Sequence, residues 1–110
     1  MLILLRLVFE RLGFQVIATA SPDDTIAICE QQAISLVISD ILKPELDGFE
    51  LLKRLRRNAK TRHLPFIFAS TQSDPWTREQ AVKLGANGFV GEPATPQEFV
   101  DAVKRVLPVS

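Results

Sequence analysis

Only one cysteine, Cys29, occurs among the 110 residues, so an internal disulfide and a multi-cysteine metal site are both excluded. A lone cysteine within an apolar helical pattern is expected to pack as a small hydrophobe, in keeping with a reducing cytoplasm. Net charge is missing as well, because thirteen basic residues offset thirteen acidic ones. No global field therefore favours nucleic acid or a membrane surface as a partner. Long apolar runs are also absent. The opening Met-Leu-Ile-Leu-Leu meets Arg6, Glu10 and Arg11 too soon for a membrane span, and it lacks the basic leader and cleavage site of a signal peptide. No linker, repeat or low-complexity segment breaks the sequence, which reads as one domain over residues 1–110.

What is present is a soluble-type balance of 46% hydrophobic and 24% charged residues, enough for a real core. Leu2, Leu5, Phe9 and Leu12 recur at a helical period that Gly13 ends. Residues 15–20 alternate weakly and read as a strand. Ser21-Pro22-Asp23-Asp24 is a helix start, with a capping serine, a first-turn proline and acids at the positive end of the dipole. That helix runs to about Gln32. Leu36, Val37 and Ile38 form a short apolar run suited to a buried parallel strand, and the run ends at Asp40. A turn containing Pro44 and the pair Asp47-Gly48 lead into a helix through Phe49, Leu52 and Leu55. Residues 64–70 are the next strand. Asp74-Pro75 opens a helix that Gly85 closes, residues 88–91 form a short strand, and Thr95-Pro96-Gln97-Glu98 caps a last helix. Strands alternating with helices imply a three-layer α/β fold around a parallel sheet with right-handed crossovers.

A carboxylate at the carboxyl end of a buried strand stands where open α/β sheets bind their ligands. Asp40 is thus placed to act as a nucleophile or a metal ligand. Its surroundings are more specific. Asp40, then Pro44-Glu45-Leu46-Asp47-Gly48, resembles the phosphoacceptor segment of response-regulator receiver domains, the chemotaxis-regulator-like modules of two-component signalling. Phe66-Ile67-Phe68-Ala69-Ser70 is similar to that family's fourth strand with its terminal Ser or Thr. The segment Leu84-Gly85-Ala86-Asn87-Gly88-Phe89 resembles the turn into the fifth strand, and Glu92-Pro93 stands where the family has Lys-Pro.

The resemblance implies a flavodoxin-like, doubly wound parallel sheet in three layers. It also implies a phosphorelay role, with a histidine kinase or phosphotransfer protein as partner. Asp40 takes the phosphoacceptor position, Ser70 the phosphate-contacting position, Phe89 the switch aromatic and Glu92 the lysine position. Mg²⁺ is the implied cofactor, held by Asp40 and the backbone carbonyl of Leu42 together with an acidic pair. That pair ends the family's first strand, which has no counterpart here because residues 1–5 read as helix. Four strands and five helices are therefore expected, with a weak or absent Mg²⁺ site. Glu92 replaces a cation with an anion, and two like charges about 4 Å apart cost roughly 1 kcal/mol in water and several at lower effective dielectric. A side chain turned to solvent in the loop before Pro93 is the plainer reading of Glu92. Ser70 equally suits a strand-end cap, and Phe89 a core position.

These substitutions point to a receiver impaired in phosphorylation that works through protein contacts, not to an enzyme. A truncated piece of an active receiver is the alternative. An aspartate-nucleophile phosphatase needs a second Asp two residues on, where Leu42 stands. With its central strand absent, the ordinary arrangement would expose Phe9, Leu12 and Val103. Rescue is expected from a closed four-stranded sheet or from a homo-oligomer formed by strand exchange. Lys53, Arg54, Arg56, Arg57, Lys60 and Arg62 hold six of the thirteen positive charges within ten residues. They read as a solvated helix face or a docking patch for an acidic partner, and direct nucleic-acid binding is disfavoured because no aromatic residue interleaves them. His63 suits a capping or packing role at a strand start, and Trp76 a partly exposed contact.

Overall fold

The computed structural model describes residues 9–19, 21–43 and 46–107. Residues 9–11 are helical (α1) and the turn ends at Gly13, whose amide donates to Glu10 O. Then follow α2 (Pro22–Gln31), β1 (Val37–Ser39), β2 (Leu42–Lys43), β3 (Leu46–Asp47), α3 (Gly48–Arg57), β4 (Phe66–Ser70), α4 (Pro75–Lys83), β5 (Gly88–Gly91) and α5 (Pro96–Val106). The expected helix starts are met by local chemistry. Ser21, Asp47, Asp74 and Thr95 each accept a backbone N–H of the first turn. Thr95 and Glu98 form a reciprocal capping box.

β1, β4 and β5 form a parallel sheet in the order β1–β4–β5, with β4 in the middle and all five of its residues buried. Alternation along β4 divides the core between the two faces of the sheet. Phe66 and Phe68 join Leu51, Leu52, Leu55, Ile41 and Cys29 on one face. Ile67 and Ala69 join Phe9, Val90, Phe99, Val100 and Val103 on the other. Cys29 is buried as expected, and burial pushes its thiol pKa up. No helix among the described residues is long and apolar enough to cross a membrane.

One expectation is corrected and two features are added. Residues 15–19 form no ladder with any described strand, so the parallel sheet has three described strands where four were expected. The period-two pattern is present there, with Phe14 and Val16 packed on the α5 face while Gln15 and Ile17 lie exposed. Alternation sets which side chains turn inward, but a ladder also needs a neighbouring backbone about 4.8 Å away, and β1 pairs only with β4 among the described strands. Second, Phe9 and Val103 are buried, at 8% and 3% exposure, because they pack with Ile67 and Ala69 of β4. The exposure that an unrescued arrangement would leave at Phe9 and Val103 is therefore not seen, while Leu12 is exposed, along with Ile17 and Ile38. Third, residues 42–43 and 46–47 form a short antiparallel pair, in which Leu42 faces Asp47 and Lys43 faces Leu46. The helix expected over residues 1–5 lies outside the described residues.

Arg56 also departs from the solvated reading of its cluster. Its guanidinium donates to the carbonyls of Arg62 (3.2 Å), Leu64 (2.7 Å) and Gly85 (2.8 Å) and to Asn87 Oδ1 (3.1 Å). Asn87 Oδ1 in turn accepts from Phe66 N at 2.9 Å. This network ties α3 to the start of β4 and to the turn before β5, and burial lowers the Arg56 pKa from its ordinary value. Gly85 takes a left-handed φ of 101° there, and a Cβ would come within 3.0 Å of Arg56 Nε.

Candidate functional site

The carboxyl ends of the three parallel strands lie side by side. Ser39 is level with Phe68, and Ser70 with Gly91. Asp40 therefore follows directly on β1, Ser70 closes β4, and Glu92 follows directly on β5. The sheet brings the three sequence-predicted residues to one edge of the molecule.

Asp40 is half-buried and fixed by its own loop. Its Oδ1 accepts from Ile41 N at 2.8 Å, and its carbonyl accepts from Ser39 Oγ at 2.8 Å. The spacing to Asp47-Gly48 has a physical cause visible here. The β2–β3 pair returns the chain so that Gly48 N donates to Ile41 O at 2.7 Å. Gly48 then lies against the acceptor loop. A Cβ on it would fall inside the contact distance of the Asp40 carbonyl oxygen and within 3.0 Å of both Ile41 Cα and Phe68 Cε1. Asp47 caps α3 through Phe49 N and Glu50 N at 3.0 and 3.3 Å. The turn thus sets Asp40 and starts a helix at the same point.

Ser70 is 2% exposed, and its Oγ accepts from Gln72 N at 3.0 Å. That bond uses a lone pair and leaves the hydroxyl proton able to donate to a further acceptor. Ser70 O accepts from Glu92 N at 2.8 Å, which fixes the backbone at Glu92 beside Ser70; the Glu92-Pro93 peptide is cis. The Glu92 side chain is partly buried and has no ion-pair partner among the described residues.

Phe89 is half-buried. Its ring lies 6.3 Å from that of Phe68, and the Arg78 guanidinium stands 4.7 Å above it. Arg78 Nε also donates to Ser73 O at 2.9 Å, linking α4 to the loop after Ser70. No sequence signal marked Arg78, because a cation at the surface of a helix start has many possible neighbours. Trp76 is 66% exposed, in line with its reading as a contact candidate. His63 stands exposed before β4, so packing does not account for it.

The residues present do not fit a resident Mg²⁺. The side-chain oxygens at this edge are those of Asp40, one of which already serves Ile41 N, of Ser70, and of Glu92 two strands from Asp40, and the family resemblance adds the backbone carbonyl of Leu42. No group of three or more potential ligand side chains occurs among the described residues, and of the remaining residues only Glu45 carries a carboxylate side chain. Magnesium demands octahedral oxygen coordination and dehydrates reluctantly, so this set is thin.

Comparison with known proteins agrees with this arrangement. The model of the response regulator receiver domain matches residues 1–104. The transcriptional regulatory protein GltR of Pseudomonas aeruginosa is 34% identical over 105 residues, covering 94% of this chain and 43% of that protein. This chain thus spans less than half the length of that regulator. Among solved structures, the receiver domain of a signal transduction histidine kinase from Syntrophus aciditrophicus is 28% identical with a TM-score of 0.81, covering 94% of this chain and 79% of that one. The Vibrio cholerae chemotaxis protein CheY4 superposes with a TM-score of 0.87 at 23% identity, over 94% of this chain and 87% of its own, a likeness of fold alone.

Proposed function

Because the chain belongs to the response regulator receiver family, we propose that it is a receiver module in which Asp40 holds the phosphoacceptor position but takes up phosphoryl groups poorly. The donor would be a phosphohistidine on a kinase or phosphotransfer protein. In that transfer one Asp40 carboxylate oxygen forms the new P–O bond as the P–N bond to the donor imidazole breaks. The bond from Ile41 N to Oδ1 orients the carboxylate and leaves Oδ2 free to attack. Ser70 would donate its hydroxyl proton to a phosphoryl oxygen.

The observation that carries the reading is the 2.8 Å bond from Glu92 N to Ser70 O. It supports the reading by holding the backbone of an acid one strand from Ser70, at the position that the family resemblance assigns to a phosphate-binding lysine. Phosphoryl transfer relies on positive groups that neutralise the equatorial oxygens, and neither Glu92 nor the thin metal donor set supplies one. Signalling by protein contacts follows as the module's main mode, and no step is assigned to the metal. Intact-mass spectrometry after incubation with phosphoramidate and Mg²⁺ tests the proposal. The expected result is a substoichiometric gain of one phosphoryl group, lost in Asp40→Asn. Near-complete phosphorylation would refute the poor uptake, and a gain that survives Asp40→Asn would refute the site.

A further inference from the structure

The cations of α3 divide into two groups once their partners are known. Arg56 turns inward to its four acceptors, and Arg54 Nη2 pairs with Asp23 Oδ1 of α2 at 2.9 Å. Lys53 and Arg57 on the helix, and Lys60 and Arg62 in the turn after it, have no ion-pair partner among the described residues. Four unneutralised cations on one short stretch are notable in a chain of zero net charge. Beside them an open groove of about 380 Å³ runs between α2 and α3, lined by Ile26, Arg54, Arg57 and Asn58. Of the acids on α2, Asp23 pairs with Arg54 and Glu30 accepts from the Asn58 amide at 2.9 Å.

We propose that this face docks an acidic protein segment. One apolar side chain of the partner rests on Ile26, and its carboxylates meet Arg57, Lys60 and Arg62. The planar Arg57 guanidinium lines the groove and suits bidentate capture of a carboxylate, with Lys60 and Arg62 following it within five residues. Two other polyanions fit less well. Single-stranded nucleic acid calls for stacking platforms, and no Phe, Tyr or Trp lies between Phe49 and Phe66. An anionic membrane surface calls for exposed apolar anchors beside the charges. The exposed large hydrophobic residues among those described are Leu12, Ile17, Ile38, Trp76 and Val82, none of them on this face.

Fluorescence anisotropy with a labelled glutamate-rich peptide carrying one central leucine tests the proposal, with single-stranded DNA and phosphatidylserine vesicles as competing probes. The peptide should bind, and the double variant Arg57→Glu, Lys60→Glu should weaken it about tenfold while its circular dichroism stays native. Ile26→Ser should weaken the leucine peptide about threefold or more and leave a leucine-to-serine control peptide unchanged. No binding at low salt, equal binding by the charge-reversed variant, or tighter binding of DNA or vesicles than of the peptide would each overturn the assignment. None of these readouts involves phosphorylation, so the proposal stands or falls apart from the role of Asp40.

Discussion

Replacing Gly48 with alanine asks whether the acceptor loop really rests against the start of α3. Judged from the helix alone, the change should help. Gly48 is the first residue of α3 and its φ lies outside the left-handed region. Alanine in a helix is worth about 0.5–1 kcal/mol over glycine. The tertiary contact has the opposite sign. The added methyl group would overlap the Asp40 carbonyl oxygen and press on Ile41 Cα and Phe68 Cε1, each 3.0 Å away. Two of these three neighbours are backbone, so no flexible side chain can give way. The start of α3 must retreat instead. Overpacking of this kind costs about 1–3 kcal/mol, and retreat also weakens the Gly48 N to Ile41 O bond, worth about 1 kcal/mol. The net effect is a loss of roughly 1–3 kcal/mol. With a urea m-value of about 1–3 kcal/mol/M, the midpoint should fall by about 0.3–3 M. Urea unfolding followed by circular dichroism at helical wavelengths reads this directly. An unchanged or raised midpoint would show that the loop does not hold Asp40 against α3.

Two further substitutions probe the frame around the site. Arg56→Ala should lower stability by about 2–3 kcal/mol in urea unfolding, because it strips a charged donor from part-buried carbonyls, and Arg56→Lys should recover less than half of the loss since an ammonium cannot span the same acceptors. Asp74 accepts from both the hydroxyl and the amide of Thr77, and these bonds hold its carboxyl below its ordinary pKa. A depressed folded-state pKa gives stability that is present above the unfolded value and lost as pH falls through the folded one. Asp74→Ala should therefore lower the urea midpoint at neutral pH, with the difference narrowing as pH falls below about 4 toward that of an uncharged cap; a difference that does not change with pH would contradict the assignment.

The parts of this fold that were legible in the sequence are those whose chemistry is local. Ser21-Pro22, Asp74-Pro75 and Thr95-Pro96 with Glu98 mark helix starts because cap, proline and first-turn acid act within one turn of chain. The strand ending at Asp40 and the one ending at Ser70 were readable from short apolar runs, and the sheet then fixed their juxtaposition. What escaped depends on distant partners. Nothing in a run of basic residues told inward Arg56 from outward Arg57, since their difference lies in carbonyls 6 to 29 positions away in sequence. The alternation at residues 14–17 showed which side chains face inward but not whether a neighbouring backbone is there to pair. Arg78 over Phe89 was likewise set by the packing of α4 on β5.

If Asp40 is the acceptor of the proposed receiver, the charge at position 92 should hold it back. Asp40 and Glu92 follow strands two apart in the sheet, about 9–10 Å between backbones at ordinary strand spacing. For side-chain charges about 8 Å apart, exchanging an anion for a cation shifts the interaction by roughly 1 kcal/mol in water and about 4 kcal/mol at an effective dielectric of 20. The most direct measurement compares phosphoramidate labelling rates of the wild-type chain, Glu92→Lys, and Glu92→Lys combined with Asp40→Asn by intact mass. The expected result is labelling about fivefold or more faster in Glu92→Lys and none in the double variant. Equal rates in the wild type and Glu92→Lys, or labelling that persists without Asp40, would contradict the account.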